Sequence, residues 1–179
     1  MVHADDILAF WFDEAGPKHW FKQSGSFDAH CRDRYLPTIE AAARGECWHW
    51  RTTPRGRCAE IIVLDQLSRN VFRHTARAFA QDPMALTLAQ EAVASGDDQR
   101  MSDDERYFSY MPYMHSESDV IHREAQRLFE TLGNAEALRY EIAHRDVIRR
   151  FGRYPGRNAA LGRDSSAEEL AYLEKHGSF

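Results

Sequence analysis

Apolar residues recur along the chain at three- and four-residue spacing, and nowhere alternate in the period-two fashion of a half-buried strand. Ile7, Leu8, Trp11 and Phe12 share one face of a helix that should start near Asp5 or Asp6. Phe27, Cys31, Tyr35 and Ile39 fall four apart behind Ser26, a residue type suited to a helix cap. Pro37 lies inside that pattern, so a kink is expected there. Thr53-Pro54 reads as a cap followed by a first helical position. The helix it opens is apolar all round at Ile61-Ile62-Val63-Leu64, the mark of a buried central element. Asp82-Pro83 opens a helix through Ala85, Leu86, Ala89 and Val93, closed by Gly96. Ser102 and Glu105 have capping-box spacing ahead of Tyr107, Phe108 and Met111, and Pro112 should end or kink that element. Three more helices are expected: from Ser118 or Asp119 to Gly133, from Asn134 to Phe151 and Gly152, and from Ser165 or Ser166 to Gly177. The pattern predicts an all-α chain of about seven to eight helices, with short loops that imply antiparallel neighbours. No fixed-period repeat is legible, and the consensus Trp/Gly/Tyr pattern of tetratricopeptide repeats is absent.

The length of 179 residues suggests a single all-helical domain spanning residues 1–179, or two tightly packed halves. A chain of this size buries roughly two thirds of its unfolded surface, so no disulfide or metal staple is needed. The cysteines, Cys31, Cys47 and Cys58, are odd in number and form no C-x-x-C pair, which argues against a disulfide framework. The N-terminal residues have neither a basic nor an apolar signal-peptide region. The longest strongly apolar run falls far below the roughly 20 residues of a spanning helix. A cytoplasmic protein that neither enters a membrane nor binds nucleic acid is expected, the latter because the net charge is −5.

Charge is unevenly distributed. Asp97 to Glu136 holds ten acidic residues against four arginines, and Arg139 to Arg163 holds seven arginines against Glu141 and Asp146. These segments could neutralise each other, or the second could be an anion-binding patch. Twenty of the 23 basic residues are Arg, an excess that a GC-rich genome would also produce, so only particular arginines bear on function.

Four motifs could carry chemistry. In Leu64-Asp65-Gln66-Leu67-Ser68-Arg69-Asn70, the pairs Asp65/Arg69 and Gln66/Asn70 are four apart and can touch on a helix, either as a site or as a buried ion pair ending the helix. In Met111-Pro112-Tyr113-Met114-His115-Ser116-Glu117, His115 and Glu117 occupy a turn and are the candidate catalytic pair, general base and partner; the alternative is that they cap the flanking helices. His144 falls within the apolar stripe of its helix, where a satisfied core histidine is the commoner outcome. Glu141-x-x-His144 and Asp119-x-x-His122 each resemble half of a di-iron signature, but no full set of ligands is present, so no metal or cofactor is expected. In the Gly/Pro-punctuated stretch from Arg149 to Arg163, Arg153, Arg157 and Arg163 could clamp an oxyanion or cap helix ends. Trp48-His49-Trp50, placed in an interhelix loop, is the candidate surface for a homodimer or other partner, or else a satellite cluster beneath the loop.

The combination of Asp65-Gln66 with Arg69-Asn70, Ala78-Phe79-Ala80 with Asp82, His115-Ser116-Glu117, Phe151-Gly152-Arg153-Tyr154-Pro155, Arg157-Asn158 and Leu161-Gly162-Arg163 resembles the bacterial domain-of-unknown-function family numbered nine-two-four. Phe10-Trp11-Phe12 is similar to that family's start. The resemblance covers nearly the whole chain and implies a tetratricopeptide-like, right-handed superhelix of antiparallel helix pairs. It implies no activity, substrate or cofactor. Family members commonly carry His where this chain has Gly156, so any chemistry that depends on that His is put in doubt. The leading expectation is a binding module for a small anionic ligand or a peptide, lined by Asp65, Arg69, Asn70, His144, Arg153, Arg157, Asn158 and Arg163. The alternatives are a hydrolase-type or metal-dependent enzyme that uses His115 and Glu117 with an arginine stabilising negative charge, and a structural or protein-interaction scaffold.

Overall fold

The structure is a computed structural model that describes residues 1–178. All regular elements among these residues are helical: α1 (Ala4–Leu8), α2 (Pro17–Trp20), α3 (Gly25–Ala43), α4 (Pro54–Ile62), α5 (Ser68–Val71), α6 (Asp82–Ser95), α7 (Asp103–Met114), α8 (Asp119–Leu132), α9 (Ala135–Phe151), α10 (Asn158–Leu161) and α11 (Ala167–His176), with short 3₁₀ turns between several of them. No described helix is long and apolar enough to cross a membrane. The chain divides into two compact units, residues 1–73 with 77–112, and residues 74–76 with 113–179. Helix α7 carries the chain from one to the other.

The first unit is organised around α4. Cys58 through Asp65 are all fully buried, as the run of apolar residues predicts for a central helix. Two stretches depart from α geometry. Ala9–Ala15 continues α1, and Val63–Leu67 continues α4, both as π-helix. The wider turn changes which groups meet: the Trp11 carbonyl accepts from the Gly16 N–H (3.1 Å) and the Trp20 Nε1–H (2.8 Å). Phe12, Trp20 and Phe108 pack edge to face around this corner. At Gly56, a Cβ would stand 2.1 Å from the Trp50 carbonyl, so only glycine lets α4 pack this closely on the preceding turn.

Several caps fall where the sequence places them. Thr53 Oγ1 accepts from Gly56 N–H, Asn134 Oδ1 from the Glu136 and Ala137 amides, and Ser102/Glu105 and Ser166/Glu169 form reciprocal boxes. Gly96, Gly133 and Gly152 end their helices at positive φ. Ser26 is not a cap. Ser24 has the extended backbone of an N-cap and its Oγ accepts from Phe27 N–H, which leaves Ser26 in the first turn. Helix α3 continues through Pro37, Pro112 lies within α7, and Trp48–Thr52 is a 3₁₀ helix rather than an irregular loop.

In the second unit, α8 and α9 form a hairpin around the Gly133-Asn134 turn. Val147, Ile148 and Tyr154 make a small core with Phe151 and Tyr172 packed against it.

Candidate functional site

Asp65, Arg69 and Asn70 belong to the first unit, and the ion pair read from their spacing is formed. Arg69 Nη1 lies 3.1 Å from Asp65 Oδ1, and its guanidinium donates to both oxygens of Asp82 at 2.8 and 2.9 Å. The expected Gln66/Asn70 pair is not formed. Gln66 Nε2 donates to Asp65 Oδ2, and Asn70 Nδ2 donates to Asp28 Oδ1, which Arg73 also holds. Each amide is instead drawn to a nearby carboxylate, a stronger acceptor than another amide. These contacts tie α3, α5 and the start of α6 together within the unit, a structural task.

His115, Glu117, His144, Arg153, Arg157, Asn158 and Arg163 belong to the second unit. Four of them, Glu117, Arg153, Asn158 and Arg163, build the loop itself. Arg163 donates to Glu117 Oε1 and Oε2 (2.9 and 2.7 Å), to the Tyr154 carbonyl (3.1 Å) and to Asn158 Oδ1 (2.9 Å). Glu117 also accepts from the Tyr154 N–H at 2.7 Å. Burial alone would raise its carboxyl pKa, but these hydrogen bonds and the Arg157 and Arg163 charges outweigh that and hold it below the ordinary carboxylate range. Asn158 donates onward to Ser165 Oγ, and Arg153 makes a bidentate contact with Glu169. The Arg153 hydrogen bond and the Ser166 amide bring the Glu169 carboxyl down to about 2. Glu117 therefore serves the loop and does not orient His115.

A second cluster lies beside this scaffold. Arg157 Nη2 donates to the His115 carbonyl (2.8 Å), and its guanidinium sits 4.6 Å from the Tyr154 ring centroid. The His144 ring is 5.7 Å from Tyr154 and 6.5 Å from His115, centroid to centroid. The Tyr140 carbonyl can only accept, so His144 Nδ1 carries the proton that bridges them at 2.8 Å. Burial, together with the charges of His115, His122 and Arg157, pushes the His144 pKa down to about 3, so the ring is neutral across the physiological range. Tyr154, read from the sequence only as part of the loop motif, is the hub of this cluster, and His122 on α8, read only as part of Asp119-x-x-His122, joins it through a hydrogen bond to the Tyr154 hydroxyl.

Glu141 is paired with His122 rather than with His144, and no group of three His, Cys, Asp or Glu side chains among the described residues converges to hold a metal ion. Cys31, Cys47 and Cys58 are buried free thiols, and burial raises their pKa values to about 12, 11 and 12, which removes them as nucleophiles. Of the Trp48-His49-Trp50 candidate surface, Trp48 and His49 are exposed whereas Trp50 is buried. A Cβ at Gly156 would stand 2.6 Å from Ser178 Cβ, so Ser178 and a larger residue at 156 cannot share that space.

A model of the family described as bacterial protein of unknown function, DUF924, matches residues 7–177. A solved structure of a protein of unknown function from Agrobacterium tumefaciens is similar at 41% identity and TM-score 0.91, over 96% of this chain and 97% of that one. No curated protein matches the chain.

Proposed function

Since the chain belongs to the DUF924 family of bacterial proteins of unknown function, its role has to be read from its own residues, and we propose that the second unit binds a small oxyanion, a carboxylate or a phosphate, at the cluster formed by His115, His144, Arg157 and Tyr154. The observation that carries this reading is electrostatic. The Arg157 charge that helps keep a proton off His144 creates a positive field, and the same field attracts an anion. The guanidinium fork of Arg157 suits either oxyanion class, and His115, whose carbonyl accepts from Arg157, brings a second nitrogen group beside it. Arg153, Asn158 and Arg163 act as the frame that holds the loop. The tetratricopeptide-like superhelix belongs to the same proposal. The α8/α9 hairpin supports it. A cytoplasmic setting is part of the proposal too, and three buried free thiols support it. Single-domain behaviour of residues 1–179 would show as one cooperative unfolding transition.

The test is calorimetric titration with inorganic phosphate and with acetate, against chloride at matched ionic strength. Arg157→Ala is expected to abolish binding. A variant that still unfolds in one cooperative transition shows that the loss is of binding and not of the fold. Anion binding no stronger than that of chloride, or binding that survives Arg157→Ala, would overturn the proposal.

A further inference from the structure

The interior of the second unit contains a proton inventory that can be counted from donors and acceptors alone. Tyr154 Oη lies 2.6 Å from the Met114 carbonyl, an acceptor, so the single phenolic proton points there. His122 Nε2 lies 2.9 Å from the Ser116 carbonyl and 3.1 Å from Tyr154 Oη, which offers only lone pairs, so Nε2 must carry a hydrogen. His122 Nδ1 is 2.8 Å from Glu141 Oε1, and that contact also needs a proton. Both side chains are completely buried. The other carboxyl oxygen, Glu141 Oε2, is buried with no hydrogen-bond partner among the described residues. A carboxylate would leave a charged oxygen unsolvated there, whereas a carboxylic acid leaves only a neutral carbonyl, which costs far less.

We propose that Glu141 is a neutral carboxylic acid in the folded chain and donates its proton through Oε1 to His122 Nδ1, so that the pair acts as a proton-dependent positioning clamp on the turn from Met114 to Ser118. His122 then holds the Ser116 carbonyl and Tyr154 the Met114 carbonyl, the residues just after and just before His115 in the chain. The charged and titratable groups around the pair are Arg145 and His144 on α9, Asp119 on α8, and Tyr154 with Arg157 on the loop. Arg145 favours ionised Glu141 and Asp119 favours charged His122, but neither supplies a hydrogen bond to Oε2. The turn carries His115, whose carbonyl holds Arg157, so the clamp bears on the proposed anion site. The proton count itself does not depend on that site, and its test reads the proton directly.

The linkage follows from the count. Folded, the pair holds one proton more than a neutral histidine with an ionised glutamate. Unfolded, it holds the same number between about pH 4.3 and 6.5, and one fewer above about 6.5. The pair therefore stabilises the fold less as pH rises above about 6.5. Glu141→Gln is the informative variant, because its amide N–H can donate to Nδ1 as the acid does, and it should fold. Difference infrared spectra at pH 7 should show a protonated-carboxyl band in the parent that the variant lacks. Between pH 7 and 8, the unfolding constant of the parent should rise about tenfold more steeply than that of the variant. In the unmodified chain, ¹³C resonances should place the Glu141 carboxyl in its protonated range at pH 7. Absence of the band and of the protonated ¹³C shift, or equal pH slopes in parent and variant, would overturn the proposal.

Discussion

Replacing Arg69 with Ala is expected to destabilise the protein by about 3–5 kcal/mol, the usual consequence of breaking a buried ion pair from one side. The guanidinium faces two carboxylates, Asp82 through two hydrogen bonds and Asp65 at 3.1 Å, and Asp65 is completely shielded from solvent at the π-helical end of the central helix. The truncation also removes a hydrogen bond to the Asp65 carbonyl and the contact of the guanidinium with the Phe79 ring. The loss should be visible as a thermal midpoint lowered by roughly 10 °C for a chain of this size. Asp65→Asn in the same background should recover part of it, since a neutral amide tolerates burial better than a carboxylate. A loss below about 1 kcal/mol would mean that the cluster behaves like a surface pair and has no structural task.

Acid should destabilise the protein well before its carboxylates titrate, and His144 is the expected cause. Burial and neighbouring positive charge keep its folded pKa at about 3, whereas an unfolded histidine titrates near 6.5. Below about pH 6.5 the unfolded chain binds the extra proton and the folded chain does not, so stability falls as pH falls. The slope is about 1.4 kcal/mol per pH unit, reaching roughly 4–5 kcal/mol near pH 3. Glu117, held below its ordinary value in the fold, adds a loss of the same sign at lower pH, as its carboxylate is protonated. Denaturant titrations from pH 7 to 4 test this, with His144→Asn keeping an amide donor at the Nδ1 position towards the Tyr140 carbonyl. Parallel curves for parent and variant would rule out His144 as the acid-sensitive group. Combined with the Glu141/His122 pair, which acts on the alkaline side, these two groups place the stability maximum near pH 6–6.5.

Reading the sequence recovered the helices that have chemical punctuation. Thr53-Pro54, Asn134, Gly96, Gly133, Gly152 and the two capping boxes each act through bonds to backbone within a few residues, so their meaning does not depend on the rest of the fold. The fully buried stretch of α4 was legible for a related reason, because a helix with no polar face has to lie inside. Ser24 instead of Ser26 was missed because several residues of suitable type compete within one turn, whereas the helix pattern correctly ran past Pro37. The π stretches were invisible, since one inserted residue in a turn leaves no mark on an apolar run.

The chain's own residue order determined an all-helical protein, most of its helix ends, the Asp65–Arg69 pair and membership of its family. Only the tertiary structure decided which polar residues build the scaffold and which face one another. Arg153, Arg157 and Arg163 are equivalent in sequence. Yet the first meets Glu169, the last meets Glu117, and Arg157 reaches the His115 carbonyl and the Tyr154 ring. His122 and Glu141, nineteen residues apart, meet only because the hairpin brings α8 and α9 side by side. Such partnerships depend on distances between remote segments, and local sequence, which sets conformation over a turn or two, does not encode them directly.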